Sequence, residues 1–139
     1  MPAELALALP LMAAGKTLFR AMACDDADSA PVVGDRDLGV RVPTDILVDP
    51  GGNVRSGSHG MSVAPDDPTN LPVHRRPRSL GGTGKKPVWA ISEDCLNADL
   101  RYTSTSMTHG VLAPARTMLH TVYVAALHQT RPDWQFQHA

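Results

Sequence analysis

A chain of 139 residues forms one domain by length and can bury roughly two-thirds of its unfolded surface, so folding requires neither a disulfide nor a metal. Its 13 lysines and arginines against 14 aspartates and glutamates leave a formal charge of -1, which argues against the basic footprint of a general nucleic-acid binder. Cys24 and Cys95 form no CxxC pair and read as reduced thiols of a cytosolic protein.

The opening stretch, residues 1–15, is an apolar appendage in which residues 3–9 could form a short helix broken at Pro10. Glu4, Pro10 and the missing basic flank argue against a signal peptide, and the run is too short to span a bilayer. The expected domain is residues 16–139.

Lys16–Met22 alternates Leu18, Arg20 and Met22 with Thr17, Phe19 and Ala21, the pattern of a strand. An arginine in line with apolar neighbours is usually a snorkelling edge residue, whose truncation costs about 0.5 kcal/mol or less. The rarer reading is a guanidinium held by a rigid strand against a cleft, suited to phosphate. Asp25–Asp37 reads as an exposed acidic connection. Gly39–Asp49 offers Val40, Val42, Ile46 and Val48 as an edge strand or two short pieces around Pro43. Asp49–Asn53 (DPGGN) is a turn.

Gly57–Gly84 contains four prolines, five glycines, two histidines and three arginines. Proline and glycine at that density break regular structure, so the segment is expected to be one long loop system. Loops of this length are usually functional or disordered, and apolar pegs such as Met61, Val63 and Leu71 favour an ordered, functional one. Residues 74–86 hold five cations (Arg75, Arg76, Arg78, Lys85, Lys86) and no anion, a local anion site or a solvated charge run.

Lys86–Ser92 predicts a strand, Ser92–Asn97 one helical turn, Asp99–Met107 a β-rich piece and His109–Ala113 a short extended one. From Thr117 the period changes. Leu119, Val122, Tyr123, Ala126 and Leu127 mark one helix face, with Thr117 as N-cap and Pro132 ending the helix at about Thr130. Trp134 and Phe136 would fold back onto it. Short strands, a long loop and a terminal helix make an α+β domain.

Loose chemical motifs carry little here. The six histidines lack metal-ligand spacing, so exposed or locally satisfied imidazoles are the simpler reading. Ser62 lies in Gly60–Val63 (GMSV) without the second glycine of a nucleophile elbow, and Gly81–Lys86 lacks the P-loop pattern. Read alone, Arg20, Ser62 and His109 are an edge cation, a turn hydroxyl and a strand-end cap.

Three segments in order change the weighting: Leu18–Met22 (LFRAM), His59–Ala64 (HGMSVA) and Met107–Met118 (MTHGVLAPARTM) before the helix. In that order the chain resembles the type VI secretion NAD-dependent cytotoxins of ADP-ribosyltransferase-like fold (the Tse type), over roughly residues 16–134 with gaps. The resemblance implies a twisted antiparallel or mixed β core and NAD as cofactor. It also implies action in the cytoplasm of a target cell on an unknown acceptor, and a neutralising immunity protein as partner. It gives Arg20 the ribose or phosphate side of NAD and Ser62 the support of the nicotinamide pocket, with Met61 where the family can carry threonine. Thr108 and His109 match its threonine-histidine pair, so Arg20, Ser62 and His109 are the implied catalytic set. The family's late-strand glutamate has no counterpart, since Glu4 and Glu93 lie outside the matched segments. A non-catalytic nucleotide- or protein-binding module of the same fold therefore stays open beside the enzyme.

Overall fold

The computed structural model describes residues 15–138, so the expected appendage and its helix at 3–9 lie almost wholly outside the described residues. In chain order the strands are β1 (Thr17–Ala21), β2 (Cys24–Asp25), β3 (Ala30–Pro31), β4 (Asn53–Val54) and β5 (Met61–Pro65). Then follow β6 (Val88–Ser92), β7 (Leu100–Ser104), β8 (Gly110–Pro114) and β9 (Met118–Leu119), helix α1 (His120–Gln129) and β10 (Gln135–His138). Six strands form one sheet in the order β10-β6-β1-β5-β8-β7, every neighbouring pair antiparallel; β2-β3 and β4-β9 form two small ribbons. The chain is thus an α+β domain with a predominantly antiparallel core.

The alternation in β1 sorts its side chains onto two covered faces. Leu18 and Met22 join Met61, Val63, Trp89, Ile91 and the helix residues Tyr123, Ala126 and Leu127 in the larger core. Phe19 meets Ala64, Val88 and Ala90 on the other face, where Leu71 and Leu80 of the 66–87 loop close over them. With neighbours on both sides and cover on both faces, β1 is central, which overturns the edge reading of Arg20: the residue is 8% exposed.

Three other expectations ahead of the helix are corrected. The supposed unbroken loop at 57–84 contains β5, a full sheet member whose MSVAP places Met61 and Val63 in one core and Ala64 in the other. The rest of that segment is irregular, with short 3-10 turns at Pro68–Asn70, Val73–Arg75 and Arg78–Leu80. Residues 39–49 form no strand; Pro43 sits in a turn, yet Val40 and Ile46 are still buried. Residues 25–37 are more than an exposed connection: β2 and β3 pair, Ala30 is buried, and Arg131 spans the ribbon with bonds to Pro31 O (2.8 Å), Asp25 (2.8 Å) and Asp28 (2.9 Å).

The helix starts two residues later than expected, capped by Leu119 rather than Thr117, because Met118 and Leu119 pair with Val54 and Asn53. Its buried stripe is Tyr123, Ala126 and Leu127; Leu119 and Val122 are exposed. The C-terminal end falls at Thr130, whose hydroxyl accepts from Trp134 Nε1 at 2.9 Å, so Trp134 does fold back. Phe136 instead sits on β10, edge-on to Trp89 with ring centroids 5.6 Å apart. Among the described residues no helix is long and apolar enough to cross a membrane.

Candidate functional site

The β1–β5 ladder carries only Leu18↔Pro65 and Phe19↔Ala64, whereas β1 goes on pairing with β6 through Ala21↔Val88. Beyond Phe19 the two central strands part. A buried carbonyl without a donor costs about 1–3 kcal/mol, so a parted sheet needs a substitute donor. Arg20 supplies it: Nη1 donates to Ser62 O and Nε to Asp37 O, both at 2.7 Å.

A cavity of about 370 Å³ opens at this parting. Arg20, Ser62, Thr108 and His109 all line it. Its other walls come from Asp35, Arg36, Arg41 and Asp45 on one side and Asn70, Leu71, Pro72, His74 and Arg75 on the other. The volume is within the ordinary range for small-molecule sites.

Ser62 pairs with Val111, and His109 precedes Val111 by two positions, so the period-two rule puts both on one sheet face. Met61 obeys the same rule in the opposite sense: it is wholly buried in the helix-side core and is not among the lining residues. The cofactor contact implied for Met61 is therefore corrected to a packing role. Gly60 at its N-terminal edge has φ +156, and a Cβ there would lie 2.4 Å from Leu112 O and 2.8 Å from the Tyr123 hydroxyl. His109 Nδ1 is held by Thr105 Oγ1 at 2.5 Å, and Thr108 N donates to Ser106 Oγ at 3.3 Å.

The electrostatics centre on Arg20. Burial, and next the nearby positive charge of Arg75, lower its pKa to about 10, against weaker support from Asp45 and Asp37. It is still protonated at neutral pH but meets no carboxylate directly: among the described residues its bonds go to two backbone carbonyls, and Nη2 has no protein acceptor. A buried cation without an ion pair, with a second arginine close by, is an arrangement that an anion would relieve.

Asp37 fixes that guanidinium from behind. Burial pushes its carboxyl up, but the Ala23 amide (2.7 Å), Lys86 (2.8 Å) and the nearby Arg20 charge outweigh this and hold it below the usual range. A depressed carboxylate contributes stability that is fully present above its ordinary pKa of 3.8 and is lost as the pH falls through the lower folded value. Lys86 is more than a third exposed, which screens the pair. Asp37→Asn should therefore lower unfolding stability by about 1–2 kcal/mol at neutral pH. Chemical unfolding across an acid series should show the gap to the parent closing at low pH; a gap independent of pH would remove the carboxylate from this role.

Carboxylates at the cavity were not legible in the sequence. Asp45 is committed to Arg41, accepting from its backbone amide (2.7 Å) and side chain (3.2 and 3.3 Å). Asp35 is exposed and makes no ion pair among the described residues. Glu93 is remote: its carboxylate accepts from Lys16 N, at the end of β1 opposite Arg20. Among the described residues no cluster of three or more His, Cys, Asp or Glu could hold a metal. No protein-family model, no curated protein and no solved structure matches this chain.

Proposed function

We propose that the Arg20 cavity binds the pyrophosphate-bearing dinucleotide NAD, and that the chain is a cytotoxic effector of ADP-ribosyltransferase type. The observation that carries this reading is the buried Arg20 guanidinium, presented to a cavity without a carboxylate partner. Arginine matches phosphate oxygens through its planar fork. Ser62 and His109 supply a hydroxyl and an imidazole on the same face, suited to orienting a ribose.

ADP-ribosyl transfer breaks the bond from C1′ of the nicotinamide ribose to the ring nitrogen, which leaves with the electron pair. A new bond forms from C1′ to an acceptor oxygen or nitrogen, whose proton passes to solvent or a base. A carboxylate would stabilise the positive charge that develops at C1′. Asp35 is the acid available for that task, since Asp45 is spent on Arg41 and Glu93 is at the far end of β1. The fold is then of ADP-ribosyltransferase type, the target a molecule of the recipient cytoplasm, and a neutralising immunity protein accompanies the toxin in its producer.

Calorimetric titration with NAD followed by a nicotinamide-release assay tests this. Saturable binding with release establishes cleavage at C1′, and labelled ADP-ribose retained on an acceptor rather than passed to water establishes the transferase; binding without release leaves a non-catalytic nucleotide module, which the missing glutamate favours as second reading; no binding removes the NAD site. If the two polar groups act as a unit, Ser62→Ala and His109→Ala should each slow release while the double variant is little worse than either. Additive losses would place them in separate roles.

A further inference from the structure

We propose that a cationic groove beside the Arg20 cavity holds the phosphate of the acceptor, so that the modified molecule is a nucleotide, free or at the end of a nucleic-acid strand. This rests on the NAD reading of the neighbouring cavity. The groove has a volume of about 260 Å³ and shares Ala21, Arg36, His74 and Arg75 with that cavity; Gly84, Lys85 and Lys86 complete it. A group seated there lies against the same wall as one seated beside Arg20, as an acceptor of the transferred ribose must.

The lining is one-signed. It contains no carboxylate, and only Lys86 is neutralised, by Asp37. Arg36, Arg75 and Lys85 have no side-chain hydrogen bond or ion pair among the described residues, so three cations remain for a ligand. A single protein carboxylate would leave most of that charge unmatched, whereas phosphates match it.

The loop is built to hold these charges together. Thr83 N donates to Val73 O at 3.0 Å and Gly84 N to Arg76 O at 2.7 Å, pinning the segment before Lys85 against the turn that carries Arg75. The approach is too close for a side chain: a Cβ on Gly84 would lie 2.8 Å from Arg75 C. Apolar lining is confined to Ala21 and the glycine, so a peptide side chain finds no pocket, and His74 supplies the one ring in the lining, with no Phe, Tyr or Trp beside it to form a stacking platform for successive bases. The groove reads phosphate and sugar rather than sequence. An overall charge of -1 argues against a broad basic face but not against a local one.

Fluorescence anisotropy with a short fluorescein-labelled oligothymidylate, a labelled adenosine monophosphate arm and a parallel NAD titration test this. With about three phosphates neutralised, oligonucleotide affinity should fall roughly a hundredfold over a tenfold rise in salt. Lys85 is exposed and lines the groove but not the cavity, so Lys85→Glu should fold normally, weaken the oligonucleotide about tenfold and leave NAD affinity unchanged. Groove-dependent binding of the monophosphate but not the oligonucleotide would assign a free nucleotide as acceptor. No binding of either, or binding indifferent to Lys85→Glu, overturns the proposal, while the NAD titration reports separately on the cavity. Loss of NAD affinity in Lys85→Glu would also overturn it, by making the groove part of the NAD site.

Discussion

If the Arg20 cavity is an NAD site, Arg20→Ala should abolish NAD binding and at the same time lower stability by about 2–4 kcal/mol. The second effect departs from what an edge arginine would cost. Truncation leaves Ser62 O and Asp37 O without their donor at a part-buried parting of the sheet, each worth at most about 1–3 kcal/mol. A partial offset comes from removing a desolvated charge. Its folded pKa of about 10 lies below the ordinary arginine value, so the protonated form is disfavoured by folding below pH 10. That penalty is relieved as the pH rises from the folded value towards the unfolded one.

Because Arg20→Ala lowers both activity and stability, Arg20→Lys separates the two roles. Lysine keeps the charge and can reach one carbonyl, but it cannot donate to both and still face the cavity with a planar fork. We expect unfolding midpoints closer to the parent than those of Arg20→Ala, and NAD affinity still reduced about tenfold or more. A folded Arg20→Lys protein with parental NAD affinity would reduce Arg20 to a structural cross-link between parted strands.

The contrast between what β1 disclosed and what β5 concealed has a physical cause. Thr17–Ala21 displays period-two alternation over its whole length, and its local signal suffices to call a strand. Its central place does not follow, because the two flanking strands lie more than forty residues away in the chain. Buried on both faces, β1 puts Arg20 where a snorkelling residue cannot be. Met61–Pro65 offers only five residues between a glycine and two aspartates and ends in proline. Its strand character comes from two long-range ladders rather than from local preference.

The same division runs through the site. Arg20, Ser62, Thr108 and His109 were reached through the order of three segments and share one cavity. Met61 failed because adjacent residues on a strand face opposite ways. Asp35, Asp45 and Asn70 line the cavity from irregular segments, where no periodicity reports which way a side chain points. The histidine-rich helix yielded nothing comparable: its periodic residues describe packing, and Leu119 was lost to the stripe because it pairs with Asn53 in β4-β9.

That packing carries the other large effect. Leu127 is completely buried in the core beneath the sheet, and Leu127→Ala should cost about 2–5 kcal/mol, the range for deleting a buried leucine where the surroundings cannot collapse. For a chain of this size the thermal midpoint should drop by about 4 °C for each kcal/mol. Tyr123 distinguishes loss of helix packing from loss of the helix-to-sheet tie. Its hydroxyl donates to Leu112 O at 2.5 Å and accepts from Met61 N at 3.1 Å, bridging β8 and β5 one residue from Ser62. Tyr123→Phe keeps the ring but strands a buried amide and a buried carbonyl, so it should cost about 1–3 kcal/mol. It should also slow nicotinamide release in the fraction that stays folded, since β5 carries Ser62. Leu127→Ala, further from that strand, should reduce stability without changing the kinetics of folded protein. Leu127→Ala with an unfolding free energy equal to the parent's would make the helix peripheral to the fold; Tyr123→Phe with unchanged release would confine Tyr123 to stability alone.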